Sequence, residues 1–255
     1  MNIISGFADI SLLQLVLVAG VALFASVIGG LAGYGTGALM PLVLVPLIGA
    51  EPVVPIIAIS SIFTNLSRMT AYLRYADRRR AMIVLAAAAL TTVLGAYGYT
   101  RLTNAGAALV IGAMLISSVP LRRLLKRREV RLGDGGLAAS AVGYGVVVGG
   151  TVGAGVILLS LLMAAGLEGA AVIATDAMIS VGVSVIKISV FGLAGVVTAQ
   201  VLAFALLIGA IALPGAFLAR AFVERMPVHI HTAILDAVVI AGGVVMISSA
   251  LRSFY

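Results

Sequence analysis

Two basic side chains lie inside long apolar segments of this chain, Arg68 in the first half and Lys187 in the second. An alignment of the halves on Glu51 and Glu168 places Lys187 opposite Thr70, close to Arg68. A cation at bilayer depth costs at least ~2.5 kcal/mol, so it needs a partner or an aqueous cavity. The pair predicts a positively charged central chamber for an anion. The alternatives are a position of Arg68 near the membrane surface and a structural ion pair of Lys187, with Asp236 as the candidate partner.

Two glycine-rich breaks are the second candidate feature. The pattern GGxxGxG covers residues 29–35 and recurs at residues 149–155. Glycine lets the backbone leave a helix, and the free amides at the start of the next helix attract an anion. The candidate anion ligands in and beside the breaks are Gly33, Gly35, Thr36, Gly153 and Gly155, with the Thr36 hydroxyl as a helix cap. The alternative is close helix packing, because Gly33 and Gly37, and likewise Gly145, Gly149 and Gly153, fit the GxxxG spacing.

Polar side chains accompany the cations in the same apolar segments. Asn65 precedes Arg68, and Ser184 precedes Lys187 on one helical face, so both are candidate substrate ligands. Polar residues of membrane helices also bond neighbouring helices, which is the alternative. Asp176 is a candidate carboxylate for proton coupling or, alternatively, a helix cap.

Motifs of catalysis and metal binding are absent from the sequence. His229 and His231 are the only histidines, and the chain has no cysteine. No HExxH, GxSxG or GxxxxGK[ST] pattern occurs. We therefore predict that the protein is not an enzyme or an ATP-driven pump, and that it holds no metal or other cofactor.

The composition indicates a membrane protein. Of 255 residues, 62% are hydrophobic and 10% are charged, whereas a soluble domain has roughly 25% charged residues. Most of the outer surface must therefore contact lipid. The net charge of +7 comes from loops between apolar runs, which is typical of cytoplasmic membrane loops and does not indicate nucleic-acid binding.

Ten apolar segments predict an all-α polytopic fold. Five precede a basic linker and five follow it: residues 11–28, 38–49, 53–72, 82–99 and 105–121, then 137–148, 156–166, 170–191, 198–219 and 232–251. This divides the chain into an N-terminal repeat (1–121), a cytoplasmic linker (122–135) and a C-terminal repeat (136–255). In each half a Gly-rich break joins the first two segments. The second segment is too short to span comfortably, so it is either re-entrant or a thin span.

The basic residues predict the orientation of the spans. With the linker inside, twelve basic loop residues fall on the cytoplasmic side and two, Arg101 and Arg252, fall outside. Both termini then lie outside and the halves are inverted repeats. Such repeats are frequent in transporters that hold their substrate near the bilayer midplane.

The two Gly-rich stretches GGLAGYGTGALMPLVLVPLIG and GGTVGAGVILLSLLMAAGL resemble those of the TauE/SafE sulfite-exporter family. The resemblance covers nearly the whole chain, although the second copy lacks the counterparts of Pro41 and Pro46. It implies transport of sulfite, sulfoacetate or a related small organic anion. Together with the residues above, it predicts an ion-coupled secondary transporter in the cytoplasmic (inner) membrane. Such a transporter can be a homo-oligomer. A passive anion channel and a non-transporting scaffold are the alternatives.

Overall fold

The fold is all-α in a computed structural model that describes residues 3–8, 10–32, 35–127, 131–215, 218 and 228–252. No strand occurs in these ranges, which confirms the predicted class. The helices are α1 Leu12–Ala32, α2 Thr36–Ile48, α3 Val53–Tyr72, α4 Arg78–Tyr99, α5 Asn104–Arg127, α6 Asp134–Gly150, α7 Gly155–Ala164, α8 Gly169–Leu193, α9 Ala199–Ala212 and α10 Val228–Arg252. Short 3-10 helices cover Ile3–Phe7 and Leu73–Tyr75.

Within the described part of the chain, five helical segments are long and apolar enough to cross a membrane: Leu12–Gly29, Val53–Tyr75, Arg78–Tyr99, Asn104–Leu121 and Gly169–Leu193. Large apolar side chains on these helices are exposed, Leu12 and Leu90 among them. Exposure of this kind along several spans is expected where the neighbour is lipid. The chain is therefore a multi-pass membrane protein.

Two predicted segment ends differ from the ends of the helices by six residues or more. The predicted linker starts at residue 122, but α5 continues to Arg127, because Leu, Lys and Arg are good helix formers and cations are favourable at a helix C-terminus. The ninth segment was expected to reach residue 219, but α9 ends at Ala212. Pro214 follows closely, and proline cannot donate the backbone hydrogen bond that would continue a helix.

The two halves pack against each other through equivalent helices. The third helices, α3 and α8, are in contact, and so are the fifth helices, α5 and α10. The first helix of each half contacts the fourth of the other, as α1 with α9 and α6 with α4. The third helix of each half likewise contacts the fourth of the other. The core is therefore shared between the halves.

The third helices run antiparallel. Ser61 Oγ in α3 lies 2.8 Å from Ser184 Oγ in α8, and two turns later Arg68 Nη1 lies 3.1 Å from Asp176 Oδ2. Residue numbers rise along one helix as they fall along the other. Inverted repeats require this arrangement of their equivalent helices, while the orientation of each half in the membrane stays a prediction.

Helices α6 and α7 form a hairpin. The Leu132 amide, just before α6, donates to the carbonyl oxygen of Ala164 at the end of α7 over 2.7 Å. The hairpin therefore returns to the side where it began. With 10 residues, α7 is about 15 Å long, half the roughly 30 Å of the hydrocarbon core. Its first residue, Gly155, therefore lies deep in the protein.

Candidate binding site

A cavity of about 120 Å³ lies where α3 and α8 meet the two Gly-rich breaks. A water molecule needs roughly 10–15 Å³ of such space, so several waters or one small anion fit. The lining residues come from both halves and include Ser61, Thr64, Asn65 and Arg68 of α3, Ser180, Ser184 and Lys187 of α8, residues 35–37 of the first break and residues 151–155 of the second. Both halves thus build one cavity.

Most of the candidate ligands from the sequence line this cavity: Gly35, Thr36, Asn65, Arg68, Gly153, Gly155, Ser184 and Lys187. Gly33 lies outside the described residues. Asp176 is not in the lining; it lies behind Arg68, which it contacts. Their assignment as anion ligands stays a prediction at this point, but their convergence from four separate segments is a structural fact.

The two breaks meet backbone to backbone. A methyl group on Gly37 would lie 3.0 Å from the backbone nitrogen of Gly153, closer than side-chain carbons normally approach. Gly153 has a φ of +82°, a conformation that favours glycine. The contact between the breaks therefore depends on glycine for two reasons, close approach at one residue and backbone conformation at the other.

Two helix N-termini open onto the cavity. Helix α2 begins at Thr36 after the N-cap Gly35, and α7 begins at Gly155 after Ala154. Neither N-cap provides a side-chain hydrogen bond. Thr36 was expected to cap α2, but it is the first helical residue, and the cap position belongs to a residue without a side chain. The Ala38 and Ile157 amides already donate to the carbonyl oxygens of Gly35 and Ala154. The first two amides of each helix and the positive ends of both helix dipoles remain available to an anion.

Gly145, Gly149 and Gly153, which share the GxxxG spacing, have two different roles. A methyl group on Gly145 would lie 2.6 Å from the carbonyl oxygen of Ala88, and one on Gly149 would lie 2.9 Å from the amide nitrogen of Ala96. Both contacts are with α4, so the GxxxG interpretation is right for Gly145 and Gly149. Gly153, the third member of the spacing, contacts the other break instead.

Lys187 is held by the end of α6. Its ammonium donates to the carbonyl oxygens of Val148 over 2.8 Å and Thr151 over 2.9 Å. Carbonyls at a helix C-terminus carry partial negative charge and stabilise a cation. Lys187 is only 5% exposed, but its third N–H remains for a ligand in the cavity that it lines. Its partners are backbone carbonyls, and the side chain of Asp236, the carboxylate suggested by the sequence, lies outside the description.

Arg68 and Asp176 form a buried ion pair. Arg68 is 8% exposed and Asp176 is 1% exposed, so Arg68 does not lie at the membrane surface as one alternative held. Its guanidinium also donates to Asn65 Oδ1. Asp176 is not a cap of α8, because it lies two turns into the helix and Glu168 occupies the N-cap. The two charges cancel, so among the residues whose side chains are described the chamber has one cation without a carboxylate partner, Lys187, rather than two.

The cavity wall repeats in the two third helices. With an offset of 119 residues, Asn65 corresponds to Ser184 and Arg68 corresponds to Lys187, and all four line the cavity. The alignment on the acidic loop residues had placed Thr70 opposite Lys187. At this offset the two cations are direct counterparts.

Polar lining residues that were missed in the sequence include Ser26, Ser61, Thr64, Tyr144 and Thr151. Ser61 lies one helical turn before Asn65, so a helical projection of the polar face would have included it. Tyr144 and Thr151 lie on or after α6, a helix with few polar residues, and no spacing singles them out. His229 and His231 lie outside the residues whose side chains are described.

The cavity and the fold define a class, a multi-pass membrane protein with a cavity at the interface of its halves that is lined in part by polar side chains. The family model described as Sulfite exporter TauE/SafE matches residues 18–246. This match covers most of the chain, and the protein belongs to that family. No similarity to a curated protein or to a solved structure was detected. The chain is thus a member of a family of membrane transporters.

Proposed function

We propose that the protein is a secondary transporter that moves a small anion across the cytoplasmic (inner) membrane and binds it between the Gly-rich breaks. Sulfite, sulfoacetate and similar sulfonates are the proposed cargo. The observation that carries the proposal is the convergence of Lys187 with the N-termini of α2 and α7 on one interior cavity. Helix N-termini and buried cations together are a general solution for binding an anion.

The chemistry of the lining suits an oxyanion better than a halide or a neutral solute. The lining offers N–H donors from Lys187 and the two helix starts, and hydroxyl groups from Thr36 and Ser184. A sulfite or sulfonate group has three oxygens spread over a pyramid, so it can accept from several directions at once. Amides and an ammonium that line the same cavity supply such donors, while aliphatic residues such as Ile57 close the remaining space.

The depth of the cavity supports alternating access. Helix α7 starts at the cavity and is about 15 Å long, which corresponds to about half the hydrocarbon thickness. A site at this depth between two equivalent halves fits an inverted-repeat transporter, in which the halves rock about a fixed midplane site. We further propose that an ion gradient drives the cycle, with Asp176 as the coupling carboxylate.

Transport by the purified protein tests the proposal. The protein is reconstituted in liposomes loaded with sulfoacetate or sulfite, and efflux is followed with and without an imposed pH gradient. Gradient-dependent efflux supports a secondary transporter, and efflux that ignores the gradient supports a passive channel. No efflux above that of empty liposomes, from protein shown to be folded, would make the scaffold alternative correct.

A further inference from the structure

Asp176 is an incompletely compensated buried carboxylate. It is 1% exposed, and its one charged contact among the described residues is Arg68, 3.1 Å away. Within the same part of the chain, neither of its oxygens accepts a well-formed hydrogen bond. A buried carboxylate is stable when it is both paired and hydrogen-bonded, and loss of either favours its neutral, protonated form. Asp176 is therefore suited to accept a proton.

The surroundings of Asp176 contain few other charges. Arg68 faces it from α3, and the phenol of Tyr144 from α6 lies within electrostatic range. At the start of α4, the Asp77 amide donates to Thr175, and the Asp77 carboxylate is paired with Arg80. Helix α7 has no titratable residue. On α8 itself, Lys187 follows three turns later. Arg68 is thus the charge that controls Asp176.

The charges of the described side chains around the cavity add up to one positive unit. Lys187 and Arg68 are cations of the lining, and Asp176 is the anion paired behind it. A bound monoanion makes the cavity neutral. A bound dianion leaves one excess negative charge in a region of low dielectric constant, where uncompensated charge is expensive. Protonation of Asp176 removes this excess and frees the guanidinium of Arg68 for the ligand.

We propose that the charge of the anion sets the number of protons bound with it: Asp176 takes up one proton when the cavity binds a dianion and none when it binds a monoanion. In this step the dianion replaces the carboxylate as the partner of Arg68, and a carboxylate oxygen of Asp176 gains a proton from water. On release of the dianion the proton leaves and the ion pair forms again. The inference rests on the proposed anion site and specifies its selectivity.

Matched ligands test the stoichiometry. Sulfoacetate and methanesulfonate both bear a sulfonate group, and above about pH 6 the first is a dianion and the second a monoanion. Their Kd values for the purified protein are measured by calorimetry from pH 6 to 8.5, with proton uptake in two buffers of different ionisation enthalpy. We expect the Kd of sulfoacetate to rise about tenfold per pH unit, and that of methanesulfonate to stay constant.

The outcomes separate this inference from the proposed function. The charge rule is the proposed dependence of proton uptake on the charge of the anion. If both anions bind with equal proton uptake, or only the monoanion binds, this rule is wrong although an anion site exists. If neither anion binds to folded protein, both the anion site and the charge rule fail. If only sulfoacetate binds, its own proton uptake decides: one proton per ligand supports the rule and zero refutes it.

Two variants locate the proton. Asp176→Asn should make the Kd of sulfoacetate independent of pH and tighter at pH 8 than in the parent protein, because the cavity then has two positive charges. Asp134→Asn is the matched control, because it removes an exposed ion pair with Arg79 outside the cavity. In this variant the Kd of sulfoacetate should depend on pH as it does in the parent protein. If the Kd of sulfoacetate rose with pH in Asp176→Asn as it does in the parent protein, the proton would bind to a group other than Asp176. If that variant does not fold, proton uptake by the parent protein still decides the stoichiometry.

Discussion

Gly112 in α5 and Gly243 in α10 contact each other reciprocally: a methyl group on either would lie 3.0 Å from the carbonyl oxygen of the other. Each glycine also faces an isoleucine of the opposite helix, Ile247 for Gly112 and Ile116 for Gly243. These isoleucines begin the Ile-Ser-Ser triplets that recur in the two halves. Reciprocal contacts of equivalent residues are what a local two-fold axis between the halves produces.

Valine at either of these glycines should destabilise the protein by a similar amount. Overpacking of this kind typically costs about 1–3 kcal/mol, and the two sites have nearly the same surroundings. The thermal midpoints of Gly112→Val and Gly243→Val in detergent measure the effect. Gly98→Val is the control, because a side chain at Gly98 meets nothing within 4 Å. Clearly unequal losses would argue against equivalent roles for the two glycines.

Alanine at Gly153 should weaken anion binding. Gly153 and Gly166 have nearly the same backbone conformation, φ +82° and +86°, so alanine should cost each site roughly 1–2 kcal/mol in strain. A methyl group at Gly166 enters open space, whereas one at Gly153 lies 3.5 Å from the carbonyl oxygen of Gly37 in the cavity wall. Sulfite affinity measured by thermal shift should fall in Gly153→Ala only. Equal losses of affinity would mean that strain alone, not the cavity wall, is responsible.

Methionine at Lys187 should abolish the stabilisation of the protein by its anion. An anion at 100 times its Kd raises the free energy of unfolding by about 2.7 kcal/mol, and a variant without the ammonium should lose most of this effect. Lys187→Met also leaves two carbonyls without their donor, which costs about 1–3 kcal/mol. Lys187→Arg should retain part of the affinity. Arg101→Met, at an exposed position, is the control. Parent-like stabilisation of Lys187→Met by sulfite would remove Lys187 from the site.

Asp77 should stabilise the start of α4 in a pH-dependent way. Its carboxylate accepts the Arg80 amide over 3.0 Å, and this bond, followed by the side-chain contact with Arg80, lowers the pKa of Asp77. A lowered pKa means that the stabilisation is present at neutral pH and is lost as the pH falls below about 4. Asp77→Ala should cost about 1 kcal/mol at pH 7.

Comparison with Asp77→Asn isolates the charge, because asparagine is an equally good N-cap without titration. Unfolding of the three proteins is followed from pH 7 to pH 3. The difference between the parent and Asp77→Asn should shrink as the pH falls. A constant difference would show that the Asp77 charge contributes nothing to stability.

The basic linker should be cytoplasmic and the loop at Arg101 extracytoplasmic. The twelve-to-two distribution of loop cations predicts this orientation. Because the chain has no cysteine, single substitutions Arg131→Cys and Arg101→Cys can be labelled in intact cells with a membrane-impermeant thiol reagent. Both residues are exposed. Only Arg101→Cys should react before the cells are opened. Labelling of Arg131→Cys in intact cells would reverse the orientation.

The Gly-rich breaks were predictable because their signal is local. The GGxxGxG pattern contains the residues that end α1 and α6 and the residue that begins α7, while α2 begins at Thr36, one residue after the first copy. A repeated pattern with a shared physical requirement, an exit from a helix, identifies the same structure in both halves. The cations were recognisable for a similar reason, since a charge in an apolar run is expensive wherever it points.

The partners of those cations were not predictable, because they are set by contacts between distant segments. Asp176 and Arg68 meet through the packing of α8 on α3, and Lys187 bonds backbone carbonyls that no side-chain pattern reveals. The alignment on the acidic loop residues differs by two residues from the offset at which the cavity residues correspond, for a related reason. Helix α2 has 13 residues and α7 has 10. Because these helices differ in length, the loop residues that follow them have a different offset from the cavity residues of the third helices.

The packing of α1 on α9 has a consequence for biosynthesis. Helix α1 is complete at Ala32, but α9 begins only at Ala199. At a ribosomal rate of roughly 5–20 residues per second, that interval lasts on the order of 10–30 s. During this time α1 is already in the bilayer and lipid must cover the surface that α9 later buries. A ribosome that stalls in the second half would therefore leave a membrane-inserted fragment with unpaired helix faces, a substrate for quality-control proteases.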